Sequence, residues 1–131
     1  MSIDFLHLAD VIAIHRDQIE RYGGEAGIRA VDLLDSALAQ PQASFEGEHL
    51  HPNLFAMAAA YLFHIVGNHP FVDGNKRTGA VAAIVFLALN GVDLEPDEEG
   101  LEAITTAVAR GKADKIQVAD FFHRIAHEET P

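Results

Sequence analysis

The sequence predicts an all-α fold, a compact helical bundle built around two buried central helices. Three observations predict it. Apolar residues recur at three, four and seven positions along most of the 131-residue chain, which is the period of a helix face. Two segments, Asn53 to about Val66 and Asn75 to Leu89, are apolar most of the way round, and such helices belong inside. Strand signals are confined to two short stretches, Val92–Leu94 and Lys115–Val118, enough for a two-stranded scrap at most.

The elements follow in order. Leu8, Val11, Ile12, Ile19 and Tyr22 form one face of a first helix, which Gly23-Gly24 ends. Val31 to Leu38 is a shorter helix with Leu34 and Leu38 one turn apart, and Pro41 stops it. Gln42 to Pro52 holds Gly47 among scattered polar groups and reads as a loop or irregular extended segment. In the first central helix Leu54, Met57, Tyr61 and Ile65 share a face, and Gly67 is the expected stop. The second central helix ends at Asn90-Gly91. Asp97 to Arg110 and Val118 to His127 complete the set.

Composition bounds the function. The length suits one domain, residues 1–131, and 49% hydrophobic content excludes disorder. With no cysteine there are no disulfides, thiolate nucleophiles or iron–sulfur ligands. The formal net charge of −11 argues against a general nucleic-acid binder. The N-terminus has neither a basic region nor a long apolar run, so a soluble, cytoplasmic protein with no membrane partner is expected. From Ala30 to Ala109 the basic residues are Lys76 and Arg77, side by side in an otherwise acidic stretch.

That pair lies in the segment His69-Pro70-Phe71-Val72-Asp73-Gly74-Asn75-Lys76-Arg77-Thr78, between the two central helices. Pro70 disfavours a helical His69. Asp73-Gly74-Asn75 is turn chemistry, with Asp or Asn expected to cap the next helix. The unpaired amides and positive dipole end of that helix make an anion site. Cations in a first turn are unfavourable by about 0.3–1 kcal/mol each, so Lys76 and Arg77 call for a bound anion, and phosphate fits best. His69 suits a general base. Asp73 beside a phosphate calls for a divalent cation between them, typically Mg²⁺. The set is a phosphoryl- or nucleotidyl-transfer site.

These residues resemble the active-site motif of the Fic family, His-x-Phe-x-Asp/Glu-Gly-Asn-Gly-Arg-x-x-Arg. Lys76 stands at the second glycine and Ala80 at the last arginine, and both departures resemble the death-on-curing (Doc) branch, whose motif reads Asn-Lys-Arg-Thr. Arg21-Tyr22-Gly23-Gly24, Leu34-Asp35-Ser36-Ala37-Leu38 with Pro41-Gln42, and Phe86-Leu87 to Asn90-Gly91 also look Doc-like, so the resemblance runs from about residue 4 to 125. It implies that His69 deprotonates the target hydroxyl, Phe71 anchors the loop and Asp73 binds Mg²⁺. It further implies that Gly74 and Asn75 present the anion hole, and that Lys76 and Arg77 hold the phosphates of ATP. Gln42 to Leu50 falls where the family carries a flap that clamps the target peptide by strand addition.

The resemblance also implies a toxin of a two-gene module, transferring the γ-phosphate of ATP to a threonine of elongation factor Tu. Its Phd-like antitoxin would bind through a helical C-terminal segment. Lys76 and Ala80 favour this over AMP transfer by a Fic-type enzyme, the second reading; a catalytically inert nucleotide- or partner-binding module is the third. Other candidates are weaker. His123 and His127 stand four apart on an expected helix with Glu128 next, and read as a solvated last-turn pair. His49 and His51 are expected to be exposed, and His64 to be a hydrogen-bonded core histidine. The acidic run Glu95 to Glu102 reads as a loop and a helix N-terminus.

Overall fold

The computed structural model describes residues 2–127. Among them the chain forms six helices and one two-stranded sheet. The helices are α1 (Leu8–Tyr22), α2 (Val31–Ala39), α3 (Leu54–Asn68), α4 (Asn75–Leu89), α5 (Glu98–Ala109) and α6 (Lys115–Ile125). The strands are β1 (Ser44–Phe45) and β2 (Glu48–His49). The all-α bundle expected from the apolar period is the observed architecture.

Helices α3 and α4 are its axis. α3 packs against α2, α4, α5 and α6, and α4 takes α1 on its other side. Met57 to Leu62 are buried without a break, which explains why α3 lacks a polar face. Close approach of α3 and α4 depends on Gly79: a Cβ there would stand 2.9 Å from Val66 Cγ2 and 3.3 Å from the Leu62 carbonyl oxygen. Tyr61 and Phe86 pack at 5.1 Å between ring centroids. The Tyr61 hydroxyl accepts from the Leu6 amide at 2.8 Å, tying down the chain ahead of α1. Burial pushes that phenol up to about 12.

The structure corrects four local expectations. Lys115–Val118 is the first turn of α6, not a strand. Asp114 accepts from the Gln117 amide and Gln117 Oε1 accepts from the Asp114 amide, both at 2.9 Å, and this capping box overrides the β-branched Ile116 and Val118. Leu94 bridges Ala126 instead, in an isolated antiparallel pair. The sheet lies in the segment read as irregular, where Glu46 and Gly47 both take positive φ (51° and 81°) between β1 and β2. Positive φ at both central residues is the two-residue hairpin turn whose twist matches paired strands.

The other two corrections concern the ends of the central helices. α3 runs through Gly67 and stops at His69, the left-handed C-cap (φ 52°, ψ 52°). The N-cap of α4 is Gly74 (φ 76°), with neither Asp73 nor Asn75 capping by side chain. Both changes come from the loop between the helices, whose side chains have other partners.

Candidate active site

The loop from His69 to Gly74 is fastened to an earlier stretch of chain. The amides of Arg29 and Ala30 donate to the Pro70 carbonyl at 2.7 and 3.0 Å, and the Val72 amide donates to Gly27 at 3.1 Å. The Arg29 side chain donates to the carbonyls of His69 (2.8 Å) and Asn68 (3.1 Å). A guanidinium on the C-terminal carbonyls of α3 satisfies groups that the helix itself leaves free. It also holds His69 in the left-handed region, which a non-glycine residue seldom occupies.

Asn75 braces the loop from inside. It is buried, its Oδ1 accepts from the Phe71 amide at 2.9 Å, and its Nδ2 donates to the Phe71 carbonyl at 3.0 Å. Phe71 is fully buried, as an anchor must be. The Asn75 side chain is therefore part of the loop's internal support, and what it turns to solvent is its main-chain amide at the start of α4.

The Asp73 carboxylate is oriented before any ligand arrives. Its Oδ1 accepts from the Gly74 amide at 2.8 Å and its Oδ2 from the Glu25 amide at 3.2 Å. These bonds, with the attraction of Arg77, hold its pKa below the ordinary carboxylate range. Because the Gly74 amide is engaged there, the free amides of the α4 N-terminus are those of Asn75, Lys76 and Arg77, ahead of the first intrahelical bond from Thr78 to Gly74. The Arg77 guanidinium lies over the Tyr22 ring, 5.1 Å from its centroid.

One cleft of about 790 Å³ brings these groups together. His69, Asp73, Gly74, Asn75, Lys76, Arg77 and Ala80 line it, with Tyr22 from α1 and Glu98, Leu101, Glu102 and Thr106 from α5. An exposed, ionised carboxylate is the hard oxygen donor that Mg²⁺ prefers, and two cations beside helix amides suit phosphate oxygens. A motif of this kind in such a cleft between two buried helices matches a known family. A model of the Fic/DOC family matches residues 5–87. The chain belongs to the Fic/DOC family.

Two relatives sharpen the comparison. The chain is 49% identical over 76 residues to Toxin Doc of Mycolicibacterium smegmatis, a match spanning 58% of each chain. It is 34% identical over 116 residues to Protein kinase doc of Escherichia phage P1, covering 88% of this chain and 90% of the relative. The second alignment takes in nearly every element described above.

Within this family member, His69, Asp73, Gly74, Asn75, Lys76 and Arg77 line the cleft, while Phe71 is fully buried in the core. Sequence reasoning missed Arg29 and His15; Tyr22, Glu98 and Glu102 were read as a helix face and an acidic helix start, not as lining of the cleft. Arg29 and His15 act on main-chain atoms 39–58 residues away, which leaves no local pattern. The remaining histidines differ from expectation in two places. His51 is half-buried, not exposed, because its Nε2 faces the Lys115 ammonium at 3.4 Å; His64 Nε2 faces the same ammonium at 3.2 Å. His123 and His127 do not share a helix, since α6 ends at Ile125 and His127 pairs with Glu95. Glu128 lies outside the described residues.

Proposed function

We infer that this chain is a Doc-type toxin kinase. It transfers the γ-phosphate of ATP to a threonine hydroxyl on elongation factor Tu and so blocks translation in the cytoplasm. The observation that carries the reading is the convergence in one cleft of His69, the preset Asp73 carboxylate and the basic pair at the α4 N-terminus, in a chain aligned along 88% of its length with a relative named as a protein kinase. In this reading His69 takes the proton of the target hydroxyl, whose oxygen attacks the γ-phosphorus while ADP leaves. Lys76, Arg77 and the amides of Asn75 to Arg77 hold phosphate oxygens, and Asp73 holds Mg²⁺. Bound there, Mg²⁺ would neutralise phosphate charge. The hairpin β1–β2 would hold the target segment by its main chain. Ala80, which lines the cleft, adds no cation for the phosphate arrangement of AMP transfer, which supports the γ-phosphate orientation. The chain's activity would be restrained by an antitoxin with a helical C-terminal segment.

Purified chain, Mg²⁺ and elongation factor Tu incubated in parallel with α- and γ-labelled ATP test this. Label should pass from γ-labelled ATP alone, and His69→Ala should abolish it. Transfer from α-labelled ATP would replace the reading with AMP transfer. No transfer from either, with harmless expression, would leave a binding module.

A further inference from the structure

Asp73, the loop residue given the cation in the kinase reading, is also held through its main chain by a residue of α1. His15 of α1 is 5% exposed and its Nε2 lies 2.8 Å from the Asp73 carbonyl oxygen. A carbonyl can only accept, so Nε2 carries the hydrogen. The imidazole is stacked on Phe71, with centroids 3.9 Å apart and planes 5° from parallel. The ring is therefore clamped between the loop's buried anchor and the loop's main chain.

The Asp73–Gly74 peptide is thus held at both ends. Its carbonyl accepts from His15, and its N–H donates to the Asp73 carboxylate. Turning this peptide would break both bonds together. Gly74 leaves it the freedom to turn: its φ is +76°, and a Cβ there would press on Ile19 Cδ1 at 3.1 Å and lie in ordinary contact with the His15 ring at 3.7 Å. A glycine hinge beside the carboxylate needs an external stop, and His15 is placed as one.

We propose that His15 is a positioning residue, fixing the Asp73–Gly74 peptide so that the Asp73 carboxylate faces the divalent cation of a bound nucleotide. The assignment rests on the cation role of Asp73 in the kinase reading. His15 does not line the cleft, so its effect would pass through the loop main chain. Partners that orient a metal ligand in this way alter metal affinity by about 10–100-fold when removed.

Binding of Mn²⁺–ATP followed by the electron paramagnetic resonance of Mn²⁺ tests this without an activity readout. His15→Phe keeps a ring on Phe71 and removes the donor. His15→Gln removes the ring and keeps an amide donor at the same reach. Wild-type chain should bind Mn²⁺–ATP; H15F should bind it about 10–100-fold more weakly, with metal-free ATP affinity unchanged, and H15Q should recover most of the loss. Should H15F not fold, His15→Asn takes its place, since its amide falls one bond short. Donor-lacking variants that bind Mn²⁺–ATP as wild type does would overturn the proposal and leave the kinase reading standing. So would an equal loss of metal-free ATP binding, which marks a general structural role. Wild-type chain that binds no Mn²⁺–ATP would overturn the kinase reading together with the proposal.

Discussion

Asn75 uses both ends of its amide on the main chain of Phe71, and both atoms it serves are buried. Asn75→Ala should destabilise the fold by about 2 kcal/mol or more, read as a lower urea midpoint, because two buried backbone groups lose their partners. At Gly24 a Cβ would stand 2.7 Å from Asp73 Oδ2, on a backbone with φ +115°. Gly24→Ala should cost about 1 kcal/mol or more from strain and push the carboxylate out of place, so that labelling requires more Mg²⁺. His69 offers a cleaner separation of chemistry from fold. Asn tolerates the left-handed region, so His69→Asn should melt close to wild type while transfer falls by about 10²–10⁴-fold. The motif residues were legible because they sit within nine consecutive positions, His69 to Arg77, and carry complementary chemistry. His15 was less so. It stands four residues from Val11 and from Ile19, on the buried face of α1, but a histidine on such a face looks like any half-polar core residue until its main-chain partner is seen.

The helices themselves were readable because apolar period and end signals agree in them, as in α2 and α4. Misreadings fall where two local rules compete. At the start of α6, β-branched residues favour a strand and the Asp114–Gln117 box favours a helix; the box satisfies free amides and prevails. At the end of α3, Gly67 was the apparent stop, but Arg29 supports a left-handed His69 two residues later, so the helix continues. The hairpin was invisible to a hydrophobic pattern because its strands have two residues each and every one is exposed. The contact between α3 and α4 yields a prediction of its own. Alanine is a better helix former than glycine by about 1 kcal/mol, yet Gly79→Ala should lower the melting temperature. The added methyl meets Val66 and the α3 main chain, and overpacking of that kind costs about 1–3 kcal/mol.

Across the whole molecule the net charge is −11, although the cleft holds Lys76 and Arg77, and among the described residues no helix is long and apolar enough to cross a membrane. A second cluster sets the response to acid. His64 and His51 both face the Lys115 ammonium, and burial followed by that charge lowers the His64 pKa to about 4 from 6.5. His51 shifts the same way for the same reasons. An unfolded chain then binds more protons than the folded one, so stability is fully present above about pH 6.5 and declines as pH falls toward 4. Asp73 adds a loss of the same sign only at lower pH, below its unfolded value of 3.8. Melting temperatures from pH 7.5 to 4.5 should fall, and His64→Gln should flatten that fall; an unchanged slope in the variant would refute the assignment. The fastening of the active-site loop bears on how the molecule is made. Its bonds to Arg29 and His15 span 40 and 58 residues, so they form only after long stretches of chain have closed on themselves. In hydrogen exchange, the Val72 amide, held by Gly27, should therefore open when residues 27–30 release the loop, whereas the Phe71 amide, held by Asn75, should open with the start of α4. A chain still emerging from the ribosome carries the motif as letters without its geometry, and gains that geometry only when the N-terminal helix has docked.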